Sequence, residues 1–265
     1  MTDHYAVIGN PIAHSKSPFI HTLFAEQTGQ DMDYCALLSP LNGFSNTVRN
    51  FIAQGGDGLN ITVPFKFEAF SLASQWTERA QAARAVNTLA FLPNGEILGD
   101  NTDGTGLVRD IEHNLNFSLR GRRVLLLGAG GAAYGVVLPL LAAGAKLWVA
   151  NRTPAKAMEL AEAFGNAQGC AFTDLENEAA FDCVINATSS GLNGEMPPIP
   201  ARVFAHNALA YEMMYGLETP FMSFARHHGA HVTDGLGMLV EQAAESFFVW
   251  RGVRPDTTAA RVALR

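Results

Sequence analysis

The 265 residues are 48% hydrophobic and 16% charged, with a net charge of −7. That balance fits a compact soluble protein with a substantial core and excludes a low-complexity or disordered chain. It also argues against a general nucleic-acid or membrane-surface partner, although local cations inside a cleft still permit an anionic small molecule.

In chain order, Tyr5–Ile8 reads as a strand closed by Gly9-Asn10-Pro11. Ser17-Pro18 offers an N-cap and a proline at the first helical position, which predicts a helix to about Gln27 that stops at Gly29. A strand at Tyr34–Leu38, a helix over Asn42–Gln54 ended by Gly55-Gly56, a strand at Leu59–Val63 cut off by Pro64, and a strand at Ala85–Phe91 follow. Strands separated by helices indicate a mostly parallel α/β sheet. A second unit is expected from near Thr105, where a helix to Asn116 leads into strand, helix, strand, helix. Later strands are expected at Cys183–Asn186, Ala208–Glu212 and His231–Thr233, and final helices from Leu236 to Trp250 and Thr257 to Val262. The expected organisation is a substrate domain of residues 1–104, with residues 236–265 packing back on it, and a Rossmann-like domain of residues 105–235. Domain junctions favour ligands, so the site is expected in a cleft between the two. The uncharged stretch Val124–Ala145 is long enough to span a bilayer, yet its glycines and Pro139 mark a buried strand, turn and helix.

The second unit opens with Val124-Leu125-Leu126-Leu127, then Gly128-Ala129-Gly130-Gly131-Ala132-Ala133. Gly128, Gly130 and Ala133 fit the G-x-G-x-x-G/A dinucleotide fingerprint, in which glycines let the backbone approach a pyrophosphate at a helix N-terminus. After the next apolar run, Leu147-Trp148-Val149-Ala150, an NAD site places an acid to accept from the ribose 2′-hydroxyl. Here Asn151, Arg152 and Thr153 stand instead, with Lys156 one turn later, a cationic set that suits the 2′-phosphate of NADP.

In the first unit, polar residues crowd the strand ends: Ser15-Lys16-Ser17-Pro18, Asn60-Ile61-Thr62-Val63-Pro64-Phe65-Lys66, Asn87-Thr88 and Gly99-Asp100-Asn101-Thr102-Asp103-Gly104. Strand C-termini of an open α/β sheet converge on one crevice. Hydroxyls, amides, a carboxylate and a lysine there suit a small polyhydroxylated molecule. Plainer readings stand beside this one: Ser15 and Ser17 as helix caps, Asn87-Thr88 as a turn, Asp100 and Asp103 as turn residues, and Lys66 as a solvated side chain.

Together, in this order, Ser-x-Ser-Pro, Asn-x-Thr-x-Pro-x-Lys, Asn-Thr-Leu, Gly-Asp-Asn-Thr-Asp-Gly and the glycine fingerprint resemble the shikimate dehydrogenase family. Asn151-Arg152-Thr153 and the segment Asp234-Gly235-Leu236-Gly237-Met238-Leu239-Val240-Glu241-Gln242-Ala243 extend the resemblance. It implies NADPH-dependent reduction of 3-dehydroshikimate to shikimate, on the way to chorismate and aromatic amino acids. Carried over by motif, it implies Lys66 and Asp103 as the catalytic pair, and Ser15 and Ser17 on the substrate carboxylate. Asn60, Thr62, Asn87 and Asp103 would hold the ring hydroxyls, with Tyr215 and Gln242 closing the site from the other domain. The cofactor side would comprise Glu78, Gly128, Ala129, Gly130, Gly131, Ala132, Asn151, Arg152, Thr153, Lys156, Thr188, Ser189, Met213 and Gly235. One departure is Glu212-Met213-Met214-Tyr215, where relatives commonly begin with Asp.

Two rivals remain open: a quinate/shikimate-type paralogue, and a non-catalytic protein that senses NADP(H). Retention of both Lys66 and Asp103 speaks against the second. Cys35, Cys170 and Cys183 are odd in number and lack C-x-x-C spacing, which predicts buried free thiols in a reducing cytoplasm. The N-terminal residues lack the basic and apolar regions of a signal peptide. His227, His228 and His231 have no acid at a ligand position, so no metal is expected; a helix end followed by a strand start accounts for them. The expected assembly is a monomer or homodimer.

Overall fold

The computed structural model describes residues 2–265. The chain divides into two compact units, one comprising the residues up to Gly106 with Val240–Arg265, the other Leu107–Leu239.

The first unit contains β1 (Asp3–Gly9), α1 (Ser17–Thr28), β2 (Met32–Leu38), α2 (Phe44–Ala53), β3 (Gly56–Ile61), α3 (Lys66–Leu72), β4 (Gln75–Trp76), α4 (Glu78–Ala83), β5 (Thr88–Phe91) and β6 (Ile97–Asp100). The strands form one sheet in the order β2-β1-β3-β5-β6-β4. The pairs β1/β2, β1/β3 and β4/β6 are parallel, whereas β5 runs antiparallel to both β3 and β6. Alternate residues of β1 explain the layers: Ala6 and Ile8 pack with Phe44, Leu59 and Phe65 on one face, and Tyr5 and Val7 with Ile12 and Tyr34 on the other. A central strand buried on both faces reads as a continuous apolar run.

The helix α5 (Asp103–Arg109) continues into a π-helical turn, Asp110–Asn114. The second unit then holds β7 (Arg123–Leu127), α6 (Gly131–Ala142), β8 (Lys146–Ala150), α7 (Pro154–Phe164), β9 (Ala167–Cys170), β10 (Phe181–Asn186), β11 (Phe204–Glu212), α8 (Pro220–His227) and β12 (His231–Thr233). Its sheet is parallel throughout, in the order β9-β8-β7-β10-β11-β12. This is the doubly wound 3-2-1-4-5-6 arrangement, whose switch point falls between β7 and β10. Val124 and Leu126 enter one core with Val136 and Leu140, while Leu125 and Leu127 enter the other with Trp148 and Phe181. The last helices are α9 (Leu236–Arg251) and α10 (Thr258–Ala263). Among the described residues no helix is long and apolar enough to cross a membrane, and Val124–Ala145 is the β7, turn and α6 of the second sheet.

Several expectations need correction. Lys16, not Ser17, takes the N-cap of α1, and no side chain caps that helix. Lys66 does not trail a strand; β3 ends at Ile61, and Lys66 is the first residue of a helix. The strand expected at Ala85–Phe91 is β5 and begins at Thr88; the two-residue β4, Gln75–Trp76, precedes it and was not expected. The helix expected from Thr105 to Asn116 starts at Asp103 and changes to π geometry at Asp110. Cys35 is exposed on the sheet-edge strand β2, where alternate side chains face outward; Cys170 and Cys183 are buried. The three histidines behave as a helix end and a strand start: α8 ends at His227, and β12 begins at His231.

Candidate active site

The polar residues of the first unit meet because β5 is antiparallel. Asn60 at the end of β3 pairs with Thr88 at the start of β5, and Thr88 pairs with Asp100 at the end of β6. One row across three strands therefore gathers side chains that are distant in sequence. The convergence of strand C-termini is thus only part of the reason: Asn87-Thr88 reaches the same sheet edge from a strand's beginning.

Behind that row lies a buried hydrogen-bond cluster. Asn60 Nδ2 donates to Ser246 Oγ at 2.9 Å and to Thr88 Oγ1 at 3.2 Å, and its Oδ1 accepts from Tyr34 Oη at 2.8 Å. Asn87 Nδ2 donates to Thr102 Oγ1 at 2.8 Å, Asp103 Oδ1 at 2.9 Å and Gln242 Oε1 at 3.2 Å. Asn87 Oδ1 in turn accepts from the Thr102 backbone N–H at 2.8 Å. Burial holds the Tyr34 phenol well above its usual range, so it serves Asn60 as a neutral donor. The sequence reading overlooked Ser246, which touches Asn60, Thr88 and Thr102. Its position one helical turn after Gln242, on the same face of α9, is the signal that would have found it.

Lys66 Nζ donates to Asp103 Oδ2 at 2.5 Å, with the two side chains only 16% and 8% exposed. Charge-assisted hydrogen bonds in such sheltered surroundings are among the stronger polar contacts. The Lys66 carbonyl accepts from the Val86 backbone N–H, which ties the start of α3 to the segment before Asn87.

Other expected residues are distributed as follows. Ser17 is buried, and Ser15 Oγ accepts from the Ser17 backbone N–H at 3.3 Å. Thr62 is half-buried beside Gly9, where a Cβ would meet its methyl at 2.4 Å. Gln242 belongs to the first unit, because the part of α9 from Val240 onward folds with it; its bonds to Asn87 and Thr102 correct the expectation that it arrives from the other domain. Glu78 is an exposed first residue of α4. Tyr215 lies in the second unit and is half-buried.

In the second unit the glycine turn follows β7. Gly128 has φ +110, and a Cβ there would press on Ala187 and Thr188 at the end of β10. Gly130 faces open space, and Ala133 is fully buried where α6 meets the sheet. No side chain caps the N-terminus of α6, so its free N–H groups are available to an anion. Asn151 Nδ2 donates to the Thr153 carbonyl, and Arg152 and Lys156 are exposed. Met213 and Gly235 are in contact: a Cβ on Gly235 would lie 2.2 Å from the Met213 carbonyl oxygen. Glu212 is fully buried and accepts from Asn186 Nδ2 and Thr219 Oγ1, each at 2.8 Å, and from the Met214 backbone N–H. Burial raises its pKa despite these donors. Asn186 also accepts from Thr188, so Glu212 organises both the 188 loop and the 213–215 segment.

A glycine turn at the switch point of a 3-2-1-4-5-6 sheet, with a cationic strand tip, fits a phosphorylated dinucleotide. With a sheltered lysine–carboxylate pair in a polar cluster, it defines the class as a nicotinamide-dependent oxidoreductase. Comparison with known families gives matches to the shikimate dehydrogenase substrate binding domain over residues 7–89, to shikimate/quinate 5-dehydrogenase over 110–193, and to the shikimate 5′-dehydrogenase C-terminal domain over 235–265. The shikimate dehydrogenase (NADP(+)) of Janthinobacterium sp. (strain Marseille) is 61% identical, over 100% of this chain and 97% of that protein. A crystallised enzyme of Pseudomonas putida superposes with a TM-score of 0.94 at 51% identity, covering 99% of this chain and 98% of its own. The shikimate 5-dehydrogenase of Thermus thermophilus, crystallised with NADP(H) and shikimate, gives 0.89 at 33% identity, with 99% and 98% covered. The chain belongs to the shikimate dehydrogenase family.

Proposed function

We propose that this enzyme reduces 3-dehydroshikimate to shikimate, reversibly and with NADPH, with Lys66 and Asp103 as its proton-handling pair. The 2.5 Å contact of Lys66 with Asp103, set in a cluster of buried amides and hydroxyls, carries this reading. NADPH, when bound, supplies the hydride. Charge then builds on the ketone oxygen, and the Lys66 ammonium stabilises that charge and donates a proton. Asp103 keeps the ammonium in place and accepts from a neighbouring substrate hydroxyl. Ser15 and Ser17, at the start of α1, take the substrate carboxylate. Thr62, Asn87 and Asn60 face the ring hydroxyls, with Tyr215 and Gln242 completing the set. The Asn60 amide is engaged by Tyr34, Thr88 and Ser246, so part of its contribution is to hold that wall rigid.

For the cofactor, Gly128, Ala129, Gly130, Gly131 and Ala132 form the pyrophosphate turn, and Asn151, Arg152, Thr153 and Lys156 the 2′-phosphate site. Thr188 and Ser189 lie along the dinucleotide, Met213 and Gly235 near the nicotinamide, and Glu78 is assigned to the cofactor from the first unit. Free thiols at Cys170 and Cys183 are in keeping with work in the cytoplasm, as a monomer or homodimer. Initial rates with shikimate and with quinate, each with NADP and NAD, test the proposal. High kcat/KM for shikimate with NADP alone is expected; comparable rates with quinate or NAD point to a broader paralogue, and no turnover at all removes the catalytic reading.

A further inference from the structure

The loop that carries Asp103 is gripped from both sides by one side chain. Arg79, on α4, makes a two-pronged contact with Asp100: Nε to Oδ1 at 2.7 Å and Nη2 to Oδ2 at 2.6 Å. Its Nη1 reaches past Asp103 to Thr105 Oγ1 at 2.9 Å. The same guanidinium thus holds the residue three before Asp103 and the residue two after it. Only a planar, multi-donor head does this; an ammonium has the charge without the fork.

The grip is transmitted through the loop backbone. Asp100 Oδ1 accepts from the Asn101 backbone N–H at 2.7 Å, and Asn101 Oδ1 accepts from the Asp103 backbone N–H at 3.2 Å. Asp103 then meets Lys66. Arg79 is itself braced from α9, where Glu245 Oε1 accepts from Nη1 at 2.9 Å and Arg254 pairs with the other Glu245 oxygen. Asp100 is 1% exposed, so losing its cation strands a buried carboxylate at the base of the loop. Burial by itself would raise the Asp100 pKa; the hydrogen bonds and charge of Arg79 bring it below the usual value.

We propose that Arg79 is a positioning residue for the reaction: by clamping Asp100 and Thr105 it fixes where the Asp103 carboxylate meets Lys66. The proposal rests on the reading of Lys66 and Asp103 as the proton-handling pair, so Lys66→Ala serves as a reference in its test.

The test compares Arg79→Lys, Glu245→Gln and Thr105→Val with the wild-type enzyme in steady-state kinetics, kcat and KM read separately, with thermal melts alongside. Arg79→Lys keeps the charge and loses the fork; kcat is expected to fall about tenfold or more, with KM for shikimate changed less than about threefold. The split between kcat and KM is the readout, because a misplaced carboxylate disturbs the reacting pair without removing a contact to the substrate. Glu245→Gln should show a smaller change of the same kind. If Arg79→Lys does not fold, Thr105→Val decides, since it removes a single hydrogen bond; a several-fold loss in kcat with KM for shikimate little changed is then expected. A lowered melting temperature with kcat within twofold of wild type would make Arg79 merely structural and overturn the proposal. If instead Lys66→Ala itself retains turnover, it is the assignment of the catalytic pair that fails.

Discussion

At Lys66 the ammonium has one carboxylate oxygen at 2.5 Å and little access to water, an arrangement that holds it in one orientation, as the proposed proton donor requires. Lys66→Ala removes the donor and leaves the serines and amides in place. Turnover should drop by about 10²–10⁴-fold, the range for a general acid or base, while shikimate still binds. Initial rates together with a binding titration check this, and a variant retaining more than a tenth of wild-type kcat rules Lys66 out. Arg152, by contrast, is exposed and far less constrained. Arg152→Ala should raise KM for NADP much more than for NAD, since only NADP has a 2′-phosphate to lose. Equal effects on the two cofactors would mean that Arg152 serves the adenine or the fold. Lys66 and Arg152 were singled out in the sequence by the order and spacing of the motifs they stand in. Arg79 and Ser246 were not, since their partners are supplied by strand pairing and helix packing between distant segments.

Among the elements, the parallel second sheet was the most readable. The runs Val124–Leu127 and Leu147–Ala150 in β7 and β8 are continuous and apolar, whereas the edge strand β9, Ala167-Gln168-Gly169-Cys170, carries no such signal and was not expected; Gly128, with φ +110, stands at a bend that few other residues adopt. The first unit was harder. The two-residue β4 and the six-residue α4 are too short to show periodicity, and a direction reversal at β5 leaves no mark on a four-residue strand. The contact of Gly235 with Met213 was also invisible, because backbone approach is set by how β11 and α9 are placed, not by local composition. It yields a sharp expectation. Gly235→Ala drives a methyl onto the Met213 carbonyl, so the 213–215 segment must shift or the second unit must lose stability, by about 1–3 kcal/mol on the scale of local strain. NADP affinity should weaken with it. Unchanged affinity and melting temperature would show that the segment gives way freely.

For the molecule as a whole, the two units each have their own core, and the titratable groups buried in them predict different responses to acid. His21 in the first unit is completely buried and stacks on Tyr34 at 4.1 Å. Burial lowers its pKa to about 3. The unfolded chain takes up this proton near pH 6.5 while the folded one resists until about pH 3, so stability is complete above 6.5 and drains away as pH falls. From pH 7.5 to 4.5 the loss is roughly 3 kcal/mol, at about 1.4 kcal/mol per unit. Asp100, its pKa depressed, adds a further loss at lower pH, once it too must be protonated. In the second unit Glu212 works in the opposite sense. Its raised pKa means that the folded form binds the proton more readily, so its contribution grows on acidification and is lost as pH rises through the folded value. Acid should therefore melt the first unit ahead of the second. Calorimetry at pH 7.5 and 4.5 should show one transition moving down much more than the other, and His21→Phe should flatten that dependence. Two transitions that fall together, or a His21→Phe variant as acid-sensitive as the wild type, would place the titrating group elsewhere.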